Sequence, residues 1–290
     1  METPLLTKRM KNETRTIQQL REHYEIEKEL ASKLRNASKE ERRALYSSLY
    51  DELFQRVPHH PQLTQKSLPD RRYEAISSRV RMLKRFLDKN STFLEIGPGD
   101  CFLSFEVAKL VRQVYAVDVS TEITKSLTTP DNFHLVISDG CSIPVPANSI
   151  AVAYSDQLME HLHPEDALDQ LHHIFTALTP AGIYLCITPN RLNGPHDISM
   201  YFDEVATGFH LHEYTITELS DLFKKVGFSK VRVYIWKRGL FLMLPVFPFR
   251  LLEQMLCAFP RTLARRLLRS KIIRWLLYIR MVAIKQLAVA

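Results

Sequence analysis

The stretch Phe93-Leu94-Glu95-Ile96-Gly97-Pro98-Gly99-Asp100 constrains this chain more than any other. A short apolar run ends at a glutamate, makes a glycine turn and enters a helix-like segment at residues 101–112. A second apolar run, Val114-Tyr115-Ala116-Val117, then delivers Asp118. Such a unit opens an α/β sheet, where ligands bind beyond the carboxyl ends of the strands. Gly97 and Gly99 let a ligand approach the backbone with no Cβ in the way. No Lys-Ser/Thr pair follows the glycines, so a phosphate-gripping P-loop is not expected. Phe102 stands where a dinucleotide fingerprint needs its third glycine, which removes the usual close approach of a pyrophosphate. What remains is a glycine turn flanked by acids, suited to a ligand with hydroxyl, amine and sulfonium groups.

At 290 residues with 46% apolar and 24% charged residues, the chain is expected to be globular with a substantial core. Charge is unevenly placed along it. Residues 1–90 carry 20 basic and 13 acidic residues, 91–238 carry 10 and 18, and 239–290 carry 9 and 1. An acidic centre with basic flanks attracts phosphate-bearing partners such as anionic headgroups, nucleic acid or acidic substrates; a merely solvated surface is the plain alternative. Cys101, Cys141, Cys186 and Cys257 show no metal-like spacing, and free thiols in a reducing cytoplasm are expected. No apolar signal-peptide region follows Lys8.

Four segments are read: an N-terminal helical extension or lid over 1–90, a core over 91–238, a basic helical insertion over 239–278 and a last core strand over 279–290. Ser38 and Glu41 make a capping box, followed by one apolar helix face of Leu45, Leu49 and Leu53 with Tyr46, Tyr50 and Phe54. Pro58 and Pro61 bracket His59 and His60, a pair able to bind a metal but read as a solvated turn. A second amphipathic helix carries Tyr73, Ile76, Val80, Leu83 and Leu87. Strands are predicted near 92–96, 114–117, 133–137, 150–154, 183–188, 229–235 and 279–285. Helices are predicted near 101–112, 120–127, 164–178 and 216–226, the last capped by Thr215 with Glu218. Alternating patterns imply a largely parallel sheet with helices on both faces. The connection from Thr188 to Thr215 is too long for a plain loop and reads as a lid. Residues 240–278 contain prolines and charges that exclude a spanning helix, leaving an interfacial membrane element or a second helical layer.

Glu95, Asp118 and Asp139-Gly140 fall at three successive strand ends, placed for an amino group, ribose hydroxyls and an adenine amine respectively. With Ser155-Asp156-Gln157-Leu158-Met159-Glu160-His161-Leu162 and Leu178-Thr179-Pro180-Ala181-Gly182, these motifs resemble class I S-adenosylmethionine-dependent methyltransferases, close to the ubiquinone-pathway O-methyltransferases. The resemblance covers about residues 75–237 plus the final strand. It implies a Rossmann-like, seven-stranded sheet whose last strand is antiparallel. S-adenosylmethionine is then bound by Glu95, Gly97, Gly99, Asp118, Asp139, Gly140 and Ser155. Ala181 replaces a glycine common in the family.

The same family likeness gives Glu160, His161 and His210 catalytic roles. In ubiquinone-pathway and small-RNA 2′-O-methyltransferases, a comparable cluster can hold a divalent cation. Gln157 replaces the first carboxylate of that pattern, and a neutral amide is a weaker ligand for Mg²⁺. A lone histidine base and a purely structural Glu160-His161 turn therefore stand beside a metal site. The leading expectation is O-methylation of a small or amphiphilic molecule such as a quinone precursor, sugar, lipid or secondary metabolite. The alternatives are an RNA methyltransferase, for which no RNA-binding platform is visible, and a non-catalytic cofactor-binding subunit. A cytoplasmic protein is expected, with peripheral membrane contact through 240–278.

Overall fold

The computed structural model describes residues 13–64, 69–119, 128–237 and 240–287. The expected helix near 120–127 lies outside them. Four helices come first: α1 (Ile17–Asn36), α2 (Lys39–Arg56), the short α3 (Pro61–Thr64) and α4 (Pro69–Leu83). Capping boxes start α1, through Thr16 and Gln19, and α2, through Ser38 and Glu41. The core follows as β1 (Thr92–Ile96), α5 (Phe102–Ala108), β2 (Gln113–Asp118), β3 (Phe133–Ile137), β4 (Ile150–Asp156), α6 (Pro164–Ala177), β5 (Leu178–Thr188), α7 (Ile216–Val226) and β6 (Lys230–Lys237). Then come β7 (Leu240–Pro245), α8 (Phe247–Ala258), α9 (Arg261–Leu268), α10 (Lys271–Leu277) and β8 (Ile279–Ile284).

The strands form one sheet in the order β3-β2-β1-β4-β5-β8-β6-β7. β1 to β5 are mutually parallel, and β8 runs antiparallel between β5 and β6. The expected count of seven strands is therefore corrected to eight. Residues 240–245, assigned to the helical insertion, instead form a strand antiparallel to β6. The run is too short to make a helix before Pro245, and pairing satisfies the outer edge of β6. Pro245 sits at the end of this edge strand, where its missing N–H costs no ladder bond.

β1 shows how the sheet sorts its faces, since alternate side chains point to opposite sides. Leu94 and Ile96 join the core beneath α1, α2, α6 and α7. Phe93 joins the core beneath α4 and α5. Ile76, Val80 and Leu83 pack there as expected, while Tyr73 is 74% exposed. Ala181 has φ +63°, the left-handed region where glycine is at ease and other residues are uncommon.

The N-terminal helices are bolted to the core by charge. Buried Arg42 on α2 donates to both oxygens of buried Asp166 on α6, at 2.5 and 3.0 Å, and to Glu165 at 2.7 Å. Tyr46 donates to the same Asp166 at 2.7 Å. Breaking one partner of such a buried pair typically costs about 3–5 kcal/mol, so α2 is a fixed part of the domain. Cys101, Cys141 and Cys186 are buried free thiols, and Cys257 is exposed.

Candidate functional site

The glycine turn and the acids singled out in the sequence lie at the ends of β1, β2 and β3. Gly97 and Gly99 have φ +66° and +56°, a conformation that L side chains avoid. A Cβ on Gly97 would meet Leu158 at 3.1 Å, so the β1 turn and the β4 turn are in contact. Glu95 is buried and accepts a 2.5 Å hydrogen bond from Ser104 of α5. Burial raises its pKa to about 8 against the lowering effect of the Ser104 bond. Asp118 ends β2 and accepts from the Val119 amide at 2.7 Å.

Asp139 is engaged in its own turn. One carboxylate oxygen accepts from the Cys141 amide and from the amide and hydroxyl of Ser142, and the other lies 3.6 Å from Arg43. Against partial burial, these partners hold its pKa below the ordinary value. A Cβ on Gly140 would meet the Tyr46 ring at 3.1 Å, so α2 covers this turn. Ser155 is buried, with its hydroxyl 2.6 Å from the Tyr184 hydroxyl between β4 and β5.

Beside this cradle is a cavity of about 430 Å³. Its walls come from α1, α2, the segment at His60 and Pro61, the β4 turn and the 188–215 loop, among them Tyr50, Gln157, His161, Tyr201, Phe209 and His210. α1 grips that loop. Arg35 donates to the carbonyls of Thr207, Gly208 and His210, and Glu27 accepts from the Phe209 amide at 2.8 Å. Tyr50 stacks on Phe209 with ring centroids 4.8 Å apart, and burial raises its phenol pKa.

Glu160, His161 and His210 come together with ligand-capable atoms within 4.8 Å of one another, and the two histidines line the cavity. His161 donates from Nδ1 to the Phe209 carbonyl at 3.1 Å, which leaves Nε2 with its lone pair. Burial and the nearby His210 push its pKa down to about 3. His210 Nδ1 is 2.7 Å from Glu213, which also accepts from the His196 amide. Burial opposes the charged form of His210, but Glu213, Glu160 and Asp197 outweigh it and its pKa is raised. Glu160 accepts from Thr188 at 2.7 Å, whereas its Oε1 is buried with no partner. Burial raises the Glu160 pKa to about 7.

A second cluster, His23, Glu27 and His60, also lines the cavity. Arg15 donates to His23 Nδ1 at 2.7 Å, so Nε2–H donates to Glu27 at 2.8 Å. Neither nitrogen of His23 then offers a lone pair to an ion, and the cluster acts as a hydrogen-bonded strut. His60, read as part of a solvated turn, is instead partly buried, and burial with the neighbouring His23 lowers its pKa to about 4. His23, Glu27 and Tyr50 carried no motif; only the apolar face of α2 pointed to Tyr50.

A family-wide sequence profile described as a methyltransferase domain matches residues 68–233, more than half of the chain. The chain belongs to this methyltransferase family. Its fold, a mostly parallel sheet flanked by helices, is that of the class I S-adenosylmethionine-dependent enzymes, with S-adenosylmethionine as the family's cofactor. A Mycolicibacterium smegmatis protein named a probable S-adenosylmethionine-dependent methyltransferase is 28% identical over 171 residues, covering 58% of this chain and 62% of the relative. The chain thus spans about three-fifths of that relative's length. Among solved structures, a Haloferax volcanii chain from the complex of the Trm112 methyltransferase activator with a methyltransferase superposes with a TM-score of 0.51. It is 14% identical and covers 72% of this chain and 89% of that one.

Glu95 makes the first prediction. At neutral pH its carboxyl is largely protonated in the unliganded protein, given a pKa of about 8. A cationic amine placed beside it requires the carboxylate, so binding must expel the proton. S-adenosylmethionine affinity is expected to fall by up to about tenfold per pH unit below 8. Calorimetry at pH 7 in buffers of different ionisation heat should register that proton. An affinity flat between pH 6 and 8 would refute the assignment of Glu95 to the amine.

Proposed function

We propose that this chain transfers a methyl group from S-adenosylmethionine to a hydroxyl of a small or amphiphilic acceptor held in the cavity. The carrying observation is the shared wall between the two sites. Leu158 lies against Gly97, while Gln157 and His161 line the cavity. On this reading Glu95, Gly97, Gly99 and Asp118 hold the donor, with Asp139 and Gly140 at the adenine. Reaction is an in-line displacement: the acceptor oxygen bonds to the methyl carbon as the carbon–sulfur bond breaks, leaving S-adenosylhomocysteine. Alignment of the two supplies most of the acceleration. The proton passes to His210 Nε2, and Glu213 stabilises the resulting imidazolium as the orienting carboxylate does in a triad. Tyr50, Phe209 and Tyr201 supply an aromatic wall that limits water.

A second reading is favoured by the orphaned Glu160 Oε1. Glu160, His161 and His210 fit a divalent cation, with the Phe209 carbonyl and Glu213 orienting the two imidazoles. A cation there would supply Lewis acidity to the acceptor hydroxyl.

Both readings meet in one experiment, incubation with methyl-labelled donor and fractionated metabolites and RNA. Label is expected in an amphiphilic small-molecule fraction as an ether, and transfer is expected to survive EDTA. Loss with EDTA and recovery with Mg²⁺, Mn²⁺ or Zn²⁺ would move the role to a cation. Label in RNA would replace the acceptor class, and donor binding with no transfer to any fraction would leave a non-catalytic subunit.

A further inference from the structure

We propose that helices α8 to α10 form a docking surface for an anionic lipid bilayer. Phe247, Leu251 and Met255 recur at every fourth residue of α8, on one face, and are 65%, 43% and 55% exposed. Phe249, Glu253 and Leu256 on α8 are buried, so the helix is amphipathic with its second apolar stripe turned outward. Ile272 on α10 is 68% exposed and Leu263 on α9 is 42% exposed.

The charge of this segment is one-sided. Glu253, the sole acid of residues 239–290, faces inward. It accepts from the amides of Ile216 and Thr217 and the Thr217 hydroxyl at the start of α7, and from Asn190. The outward charge is therefore positive. Arg250 pairs with Asp221 and Arg265 with Glu204. Among the described residues, Arg266, Arg269, Lys271 and Arg274 make no ion pair with a carboxylate.

Exposed apolar side chains and exposed basic ones on the same three helices suit a surface that is oily within and anionic at its edge. A second copy of this face would bring arginines against arginines, which disfavours a symmetric dimer there. No described helix is long and apolar enough to cross a membrane, so the contact is interfacial. The surface is tied to the acceptor cavity's loop by Glu253–Asn190 and Arg265–Glu204. An amphiphile resident in the bilayer would then lie next to the cavity's covering loop.

The proposal needs neither donor nor acceptor, so its failure is separable from that of the proposed reaction. The full chain is floated with vesicles of phosphatidylcholine alone or mixed with phosphatidylglycerol. Flotation is expected only with the anionic vesicles and should decline as salt rises. R266E/R269E should weaken vesicle binding by about tenfold or more. L251E/M255E should also lose it, while S-adenosylmethionine affinity, the check on folding, stays unchanged in both. Absence of flotation with anionic vesicles, or flotation untouched by both double substitutions, would overturn the proposal. So would a wild-type dimer that L251E/M255E converts to monomer.

Discussion

His210→Ala is expected to lower methyl transfer by about 10²–10⁴-fold, the range for removal of a general base. S-adenosylmethionine affinity should change little, because His210 lines the cavity and not the glycine turn. Burial opposes the charged form of His210, but its pairing with Glu213 raises the histidine's pKa. His161, pushed down to about 3, is a poor base at neutral pH. Glu213→Gln should therefore act through His210, lowering the turnover number and shifting the acidic limb of its pH profile downward. The check is the rate of S-adenosylhomocysteine formation with the fraction that takes up label. A His210→Ala enzyme with wild-type turnover would end the base assignment.

Asp118→Ala should cost about 10²-fold or more in S-adenosylmethionine affinity. Two hydroxyl bonds to a carboxylate are each worth about 1.5–3 kcal/mol. Asp118 lies at the carboxyl end of β2 and half-buried, and one of its oxygens is bonded to the Val119 amide. The fold should persist, since β2 keeps its backbone pairing with β1 and β3. Titration calorimetry with unchanged affinity would remove Asp118 from the ribose.

Much of the frame was legible because its signals are local. The capping boxes at Ser38 and Thr215 and the apolar run of β1 each depend on neighbours a few residues apart. Strand β7 was not legible, because an apolar run before two prolines gives no local sign that β6 offers it an edge. Within the site, the strand-end positions of Glu95 and Asp118 followed from the motif. The engagement of Asp139 with Ser142 and of Ser155 with Tyr184 did not, since each depends on where a side chain turns. The loop over the cavity was legible from its length, since the Thr188–Thr215 connection is too long for a plain turn. Its fastening through Arg35 and Glu27 links residues more than 170 positions apart, and no pattern of spacing carries that.

Glu253 has a consequence for how this chain can be dissected. One carboxylate closes the start of α7 and holds Asn190, the residue from which the cavity's covering loop departs. The basic helices are therefore not a detachable module appended to an independent catalytic unit. Excision of residues 240–278 would also strip two α7 amides of their acceptor and release the root of the loop. An inactive truncation would thus report damage to the pocket as readily as loss of a docking surface, and single surface positions are the proper unit of dissection.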